Sequence, residues 1–446
     1  AISKRIGGLD FALSHNTEFR KRVSLNKDWP LFSYHYYTDL FEAMYESDEK
    51  FEQLLYKHET EIWPKNNFYK VKYLNARDII KIHLKEELET GRAYEFNISE
   101  VNRHTSFKEK IYQSNLCTEI VQPTKGYSSI TELYKHEESG EISLCTLSAI
   151  NVNRINFTFK DNGDFSDETL LKYEECCLYA AKIVDYVIDE MNYPFPQLKF
   201  TAQSRRNMGI GINGLAHLMA KLNLKYSSSE GINFIHKLSE LHSFAIHKAS
   251  LLLAKERGIC NWAYKTKYQD GWLPIDSYNK NIDNYVSDSR LFRNWEWLRN
   301  EMKLLGGLRF SSHVTHMPVE SSSITSNSPN SVYPIRKLVM IKSDSSKGIE
   351  FIAPEHEKLK NNYELAYDIE PKKMIICFGV IQKFTDQSIS VDSWINKKDN
   401  NMFSLDDALD NFLFSAHVGL KTHYYTNTEN SGSLFDVGSC DSGACK

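Results

Sequence analysis

Ser114-Asn115-Leu116-Cys117-Thr118-Glu119-Ile120 sets a carboxamide, a thiol and a carboxylate at a two-residue period. In an extended chain successive side chains point to opposite faces. Asn115, Cys117 and Glu119 would then share one face, with Leu116 and Thr118 on the other. A nucleophilic or one-electron sulfur would lie between a hydrogen-bonding amide and a base. Half the pattern returns twenty-eight residues on, in Leu144-Cys145-Thr146-Leu147-Ser148-Ala149. A plainer reading needs no chemistry: two half-buried strands, each with a small apolar cysteine. Both readings put short strands here.

Working outward, apolar periodicity and cap residues predict helices over 37–61, 76–90, 166–191, 228–257 and 289–305. Gly91 and Gly258 stop two of them, and Ser229 with Glu230 opens the longest. Strands are expected over 113–121, 141–152, 337–341, 374–380 and 423–425. Strands alternating with helices imply parallel sheets covered by helices, so the fold class is α/β. From Thr426 to Ser433 the chain is rich in Asn, Thr, Ser and Gly, and it ends Cys440-Asp441-Ser442-Gly443-Ala444-Cys445-Lys446. Such a segment cannot bury a core and is expected to be flexible. Two thiols on a flexible tail can close a small ring or exchange with another disulfide. Residues 1–425 and 426–446 therefore read as a folded body and a redox-active tail.

With 446 residues and a formal net charge of −4, the chain can bury a large core and carries no polybasic stretch. Nucleic acid and membrane surfaces are not expected partners. Eight irregularly spaced cysteines make no disulfide framework and suit a reducing cytoplasm. No apolar run of roughly 7–15 residues follows Ala1-Ile2-Ser3-Lys4-Arg5, so no signal peptide opens the sequence. Ala1 itself suits a trimmed initiator methionine and hence a natural start. No stretch nears the about 20 apolar residues that span a bilayer.

Several motifs invite other readings. Gly209-Ile210-Gly211-Ile212-Asn213-Gly214 satisfies the dinucleotide pattern, but polar Gln203 to Asn207 precede it where an apolar strand is required. Close packing at a helix start is the better reading. His313-x-x-His316 and the pair His236/His242 show no convergent carboxylate or third ligand in sequence, so no metal site is assigned. Cys176, Cys177, Cys260 and Cys377 read as packing residues. Met317-Pro318-Val319-Glu320-Ser321-Ser322-Ser323 reads as a helix opening with proline in its first turn, whose N–H groups and hydroxyls would hold an anion. A plain capped turn explains it equally. Tyr424-Tyr425 stands just before the tail; among 25 tyrosines an adjacent pair is unsurprising, yet closely spaced phenols can relay an oxidising equivalent.

Together Ser114–Ile120, Leu144–Asn151, Met208–Gly214, Met317–Asn327, Lys421–Thr428 and Cys440–Lys446 carry a resemblance. In order and spacing the chain resembles the C-terminal part of the large, catalytic subunit of class I ribonucleotide reductases. That resemblance implies part of a ten-stranded α/β barrel, incomplete here, with the active thiol on a central finger loop. It implies a thiyl radical on Cys117 that takes the 3′ hydrogen of a ribonucleoside diphosphate, with Glu119 as general base and Asn115 orienting the ribose. Loss of the 2′-hydroxyl would be coupled to oxidation of Cys145 with a cysteine this chain lacks. Cys440 and Cys445 would then be the exchange dithiol, reduced by thioredoxin or glutaredoxin. Tyr425 and Tyr424 would pass the radical inward, while Ser114, Pro318, Val319, Glu320, Ser321 and Ser322 would bind substrate. Val319 stands where the family often has a hydroxyl residue, so altered phosphate contacts are expected.

By the same resemblance the chain binds no cofactor itself. The small (beta) subunit dimer would hold a diiron–tyrosyl radical, and a separate N-terminal polypeptide would carry the ATP/dNTP effector sites. Two other readings stay open. One is a freestanding thiol–disulfide oxidoreductase using the tail dithiol, which leaves Asn115, Glu119 and the tyrosine pair unexplained. The other is a non-catalytic remnant or binding module of a disrupted reductase gene.

Overall fold

In a computed structural model of the chain, the described residues are 10–65, 71–344, 347–396, 403–429 and 435–436. Twelve strands occur among them: β1 Phe11–His15, β2 Asp28–Leu31, β3 Lys72–Asn75, β4 Ala93–Asn97, β5 Thr146–Asn151, β6 Met208–Asn213, β7 Val339–Asp344, β8 Lys347–Ile352, β9 Ser393–Asn396, β10 Thr422–His423, β11 Thr426–Glu429 and β12 Phe435–Asp436. β5 and β6 pair in parallel, and β6 continues onto residues 312–316 through Met208 N–Ser312 O (3.2 Å) and Ile210 N–His313 O (2.9 Å). That segment pairs in turn with 387–390, and β9 just beyond pairs in parallel with β11. Across the molecule β1 and β4 are parallel, and β4 meets β10 antiparallel at Thr422–Phe96 and His423–Glu95. Two parallel sets thus join along one short antiparallel seam. Among the described residues no ladder joins β1 to β5, so they form no closed ten-stranded barrel.

Helices cover the sheet as the sequence implies, because local caps fix their ends. The helix Ala76–Thr90 starts where the Asn75 side chain accepts from the N–H groups of Arg77 and Asp78, and stops at Gly91 with φ +71°. Asp167–Glu190 and Ser229–Arg257 are capped by the hydroxyls of Ser166 and Ser228. These two pack on each other, and Ser229–Arg257 packs on Pro371–Lys383, enclosing the main apolar core around Tyr173, Leu241, Phe378 and Val380. Each such side chain contributes about 1.5–3 kcal/mol by burial. No helix of the described residues is long and apolar enough to cross a membrane.

Several expected elements differ. The helix expected over 37–61 is two, Thr38–Glu46 and Asp48–Lys57, because Ser47 turns out of the helix and its hydroxyl caps the second. The aromatic helix starts late, at Trp295, capped by Asn294. Residues 374–380 lie not in a strand but in the helix Pro371–Lys383, with Pro371 at its first turn and every residue from Met374 to Lys383 buried. A short helix buried all round has no apolar–polar period to reveal it. The segment 113–121 is also no strand: Ser114 and Val121 form an isolated antiparallel bridge around a tight loop. The polar run expected to open the tail begins as β11, held in register with Ser393–Asn396. Cys440 and Cys445 lie outside the described residues.

Of the glycine motif, Gly209 and Gly211 lie inside β6, while Gly214 is the N-cap of the short helix Leu215–Lys221 that follows, as the expected helix start implies. A Cβ on Gly209 would come within 2.5 Å of Thr315 Cγ2, and one on Gly211 within 2.7 Å of Thr315 O. Both glycines let the 312–316 backbone lie close against the strand.

Candidate active site

Between Ser114 and Val121 the chain doubles back. Asn115 N donates to Ile120 O (3.1 Å), Thr118 N to Asn115 O (3.1 Å), and Thr118 takes a left-handed φ of +66°. Asn115, Cys117 and Glu119 are therefore gathered by a turn, not by the pleat of a strand. Leu116 is exposed while Thr118 is buried, so these two do not share a face.

The loop tip is pinned by its backbone. Glu119 O accepts from Thr315 Oγ1 (2.7 Å) and Ser388 N (2.9 Å), and Cys117 O accepts from Ser390 Oγ (2.5 Å). Val121 N donates to Gln387 Oε1 (2.9 Å). Side chains of two adjacent barrel segments thus set where the thiol lies. Within the loop Asn115 Nδ2 donates to Glu119 Oε2 (3.0 Å), and Ser390 Oγ donates to the same oxygen (3.3 Å). Burial raises the Glu119 carboxyl above its ordinary value, and these donors only partly offset it. A carboxylate raised in this way is a stronger proton acceptor than a free one.

Beside the thiol stands a cluster of phenols, packed tilted and edge-on. Tyr424 OH donates to Cys117 Sγ at 3.4 Å, and the Tyr424 and Tyr425 ring centroids are 3.9 Å apart. Tyr94, from β4, packs on both at 4.9 and 5.5 Å. Burial, then donation to Cys117, pushes the Tyr424 phenol far above its usual range, so it stays protonated. Tyr94 had no motif to announce it; it enters because β4 pairs with β10 beside the tyrosine pair.

Cys145 immediately precedes β5, and a Cβ on Gly209 would lie 3.2 Å from its sulfur. Burial raises its thiol well above the ordinary range, while hydrogen bonds from Gln122 and Ser312 pull the other way and the Glu119 charge adds to the rise. Gln122, three residues past Glu119, thus links the two cysteine segments, and it too was unmarked in the sequence.

The serine-rich helix is Glu320–Thr325, with Val319 at its N-cap and no side-chain cap. Pro318 lies before the cap and not in the first turn, because Val319 N is drawn to Asn330 Oδ1 (2.6 Å) and Asn330 Nδ2 donates to Glu320 Oε1 (2.7 Å). Ser321 and Ser322 are exposed at the opening of this helix. Ser114, at the base of the loop, turns its hydroxyl onto Asn115 O (3.0 Å).

His313 does meet a carboxylate, contrary to expectation. His247, His313 and Asp386 converge with ligand atoms within 4.8 Å of one another, all buried. Tyr268 OH sits among them, 2.9 Å from His313 Nδ1, 3.1 Å from His247 Nε2 and 3.0 Å from Asp386 Oδ2. Asp386 also accepts from His313 N (2.9 Å) and Val314 N (2.6 Å). A hydroxyl occupies the centre, so the group braces the 312–316 segment. Cys177, Cys260 and Cys377 are buried, with thiols pushed upward by burial, as packing residues should be.

A thiol on a pinned loop, a neighbouring carboxylate and three packed phenols thus meet in one place within an α/β chain. Residues 3–426 match the family described as ribonucleotide reductase, barrel domain. The chain is 34% identical to the ribonucleoside-diphosphate reductase subunit alpha of Buchnera aphidicola subsp. Baizongia pistaciae over 456 residues, covering 99% of this chain and 57% of that protein. It is 33% identical to ribonucleoside-diphosphate reductase 1 subunit alpha of Escherichia coli K12 over 457 residues, with the same two coverages. Against the subunit alpha of Enterobacteria phage T4 the identity is 29% over 441 residues, covering 97% of this chain and 55% of that protein. The chain belongs to the ribonucleotide reductase family, and it spans somewhat more than half the length of these relatives.

Proposed function

We propose that this chain carries the nucleotide-reducing centre of a class I ribonucleotide reductase large subunit and makes 2′-deoxyribonucleoside diphosphates for DNA synthesis. The observation that carries the proposal is the 3.4 Å contact from Tyr424 OH to Cys117 Sγ, which continues the close Tyr424–Tyr425 pair onto a thiol. Cys117, as thiyl radical, removes the 3′ hydrogen of the ribose. Glu119 takes the 3′-hydroxyl proton, while Asn115 orients the sugar and holds Glu119. The 2′-hydroxyl leaves as water, and two electrons come from Cys145 and a partner cysteine that this chain does not carry. The 3′ hydrogen then returns from Cys117. Cys440 and Cys445 reduce the resulting disulfide by exchange, and thioredoxin or glutaredoxin reduces them.

Ser114, Pro318, Val319, Glu320, Ser321 and Ser322 bind the substrate, with the first turn of Glu320–Thr325 offering N–H groups and hydroxyls to the diphosphate. A diiron–tyrosyl radical in the small subunit supplies the oxidising equivalent that Tyr425 and Tyr424 conduct. The portion of the relatives outside the aligned region contributes the partner cysteine and the effector sites. Activity is therefore expected only in the assembled complex. Deoxynucleotide formation is measured with this chain, the N-terminal polypeptide and the small subunit, omitting each in turn. Turnover by this chain and the small subunit alone refutes the assembly. Full turnover by Cys117→Ser in the complete mixture refutes the centre.

A further inference from the structure

Behind the phenol cluster, on the opposite face of the β4–β10 seam, lies a second group of buried titratable side chains that the proposed chemistry does not use. His83 and Glu87 are one turn apart on the helix Ala76–Thr90, Glu95 is on β4, and His423 is its cross-strand neighbour on β10. Ligand atoms of His83, Glu87 and Glu95 lie within 4.8 Å of one another, and His423 Nδ1 is 3.5 Å from Glu87 Oε1. Glu87, Glu95 and His423 are 7%, 7% and 8% exposed.

Both imidazoles are half committed in the same sense. His83 hydrogen-bonds the Tyr94 backbone, and its Nε2 is buried without a hydrogen-bond partner. His423 Nε2 is 2.7 Å from Ser393 Oγ, and its Nδ1, facing Glu87, has no hydrogen-bond partner. Glu87 Oε1 accepts from Thr426 Oγ1 (2.5 Å), while Oε2 is buried and unmatched. Buried polar atoms left unmatched are rare and costly, and three meet in this one place. An outer hydrogen bond on one ring nitrogen, with the other turned inward, is how metal-bound histidines are held.

The charges tell the same story. Burial lifts Glu87 to about 7 and Glu95 well above its ordinary value, and lowers His83 and, to about 4, His423. The nearby cation is Arg20, already bonded to His15, Asn97 and Thr17. Two carboxylates and two neutral imidazoles would balance a dication without a buried net charge.

We propose that His83, Glu87, Glu95 and His423 bind a first-row divalent cation, of the zinc class, between the helix Ala76–Thr90 and the β4–β10 seam. Two nitrogens and two carboxylate oxygens suit zinc, whose bonds of about 2.0–2.2 Å set tetrahedral donors about 3.3 Å apart. The His423–Glu87 spacing is already close to that; the other ligands close by side-chain rotation. The ion ties together the helix, the strand bearing Tyr94 and the strand β10, whose His423 directly precedes Tyr424 and Tyr425. It acts as a clamp on the relay and takes no part in it.

The test uses the full chain with Cys440→Ser and Cys445→Ser, so that tail thiols do not bind metal. The chelator-stripped protein is titrated with Co²⁺ and then with Zn²⁺. One equivalent of cobalt is expected, with visible d–d bands, no thiolate charge-transfer band, and displacement by zinc. Glu87→Gln, which keeps shape, and His83→Gln, on the rim of the site, are each expected to weaken cobalt binding by at least about tenfold. Both must retain the parent's circular dichroism and bind nucleoside diphosphate in the reconstituted complex; should one misfold, the other decides. Absence of stoichiometric cobalt binding overturns the proposal. So does binding of unchanged affinity in the folded variant.

Discussion

Tyr424→Phe removes one oxygen and leaves the ring. Its ring contacts with Tyr425 at 3.9 Å and Tyr94 at 4.9 Å are kept, so what is lost is the hydroxyl's hydrogen bonding, to Tyr425 and, at the thiol, to Cys117 Sγ. A single neutral hydrogen bond is worth about 0.5–1.5 kcal/mol, so the melting temperature should fall by only a few degrees. If the hydroxyl merely positions the thiol, the same energy corresponds to a loss of about 2- to 13-fold in turnover. A phenylalanine cannot give up an electron and a proton together, so a relay role predicts a loss well beyond about a hundredfold. The assay is deoxynucleoside diphosphate formation in the reconstituted complex, with substrate binding measured by calorimetry on the same preparation. Retained binding with turnover lost by several orders of magnitude is the expected pair. Turnover within about tenfold of the parent refutes the relay, and with it the reason for choosing class I chemistry.

The thiols should separate by reductant: Cys440→Ser or Cys445→Ser abolishes turnover driven by thioredoxin or glutaredoxin and spares much of that driven by dithiothreitol, and equal losses would refute the exchange scheme. Glu119 must be deprotonated to act as base, and its value lies above the ordinary 4.5, so kcat/KM should fall as pH drops through that raised value. Glu119→Gln should lower the plateau and flatten that limb; an unaltered pH profile would remove Glu119 as the base. Asp386 accepts two backbone N–H groups and the Tyr268 hydroxyl; burial pushes its carboxyl up, but the hydrogen bond and charge of His313, then His247 and the Val314 N–H, hold it below its ordinary value. Its contribution is therefore present above pH 3.8 and lost as pH falls through the depressed value. Asp386→Asn should cost about 3–5 kcal/mol in urea unfolding at neutral pH, and a cost below about 1 kcal/mol would refute its bracing role.

What the sequence disclosed was what neighbours in sequence decide. Asn75 and Gly91, Ser166, and Ser228 with Gly258 mark helix ends through contacts within a few residues, and those helices fall where expected. The two misread segments fail for opposite reasons. Residues 374–380 are apolar on every side because the helix lies inside the core, so Ile375, Ile376 and Val380 read as strand, and Pro371 at the first turn is the local mark of a helix start. Residues 113–121 alternate as a strand would, but Thr118 at φ +66° folds them into a loop, a conformation no composition announces. The candidate residues were legible as a set because a thiol, carboxylate and amide at short spacing are uncommon. Their supports were not: Thr315, Gln387 and Ser390 matter only through strand pairings that bring them beside the loop. The same holds for Tyr94, and for Asp386 under His313.

The centre is also an assembly of strangers in chain order. Tyr424 and Cys117 are 307 residues apart, Ser390 and Glu119 271, and Thr315 and Glu119 196. Closing a loop of 307 residues costs about 3 kcal/mol more than closing one of ten. Local helices can therefore form well before any of these contacts is favourable. During folding, the phenol meets the thiol only after both parallel sets have formed and the two-residue seam between β4 and β10 has drawn them together. On the proposed relay, an immature chain, however helical, would hold no path from its tyrosines to Cys117, and the sulfur would not be oxidised by that route before there is a pocket around it.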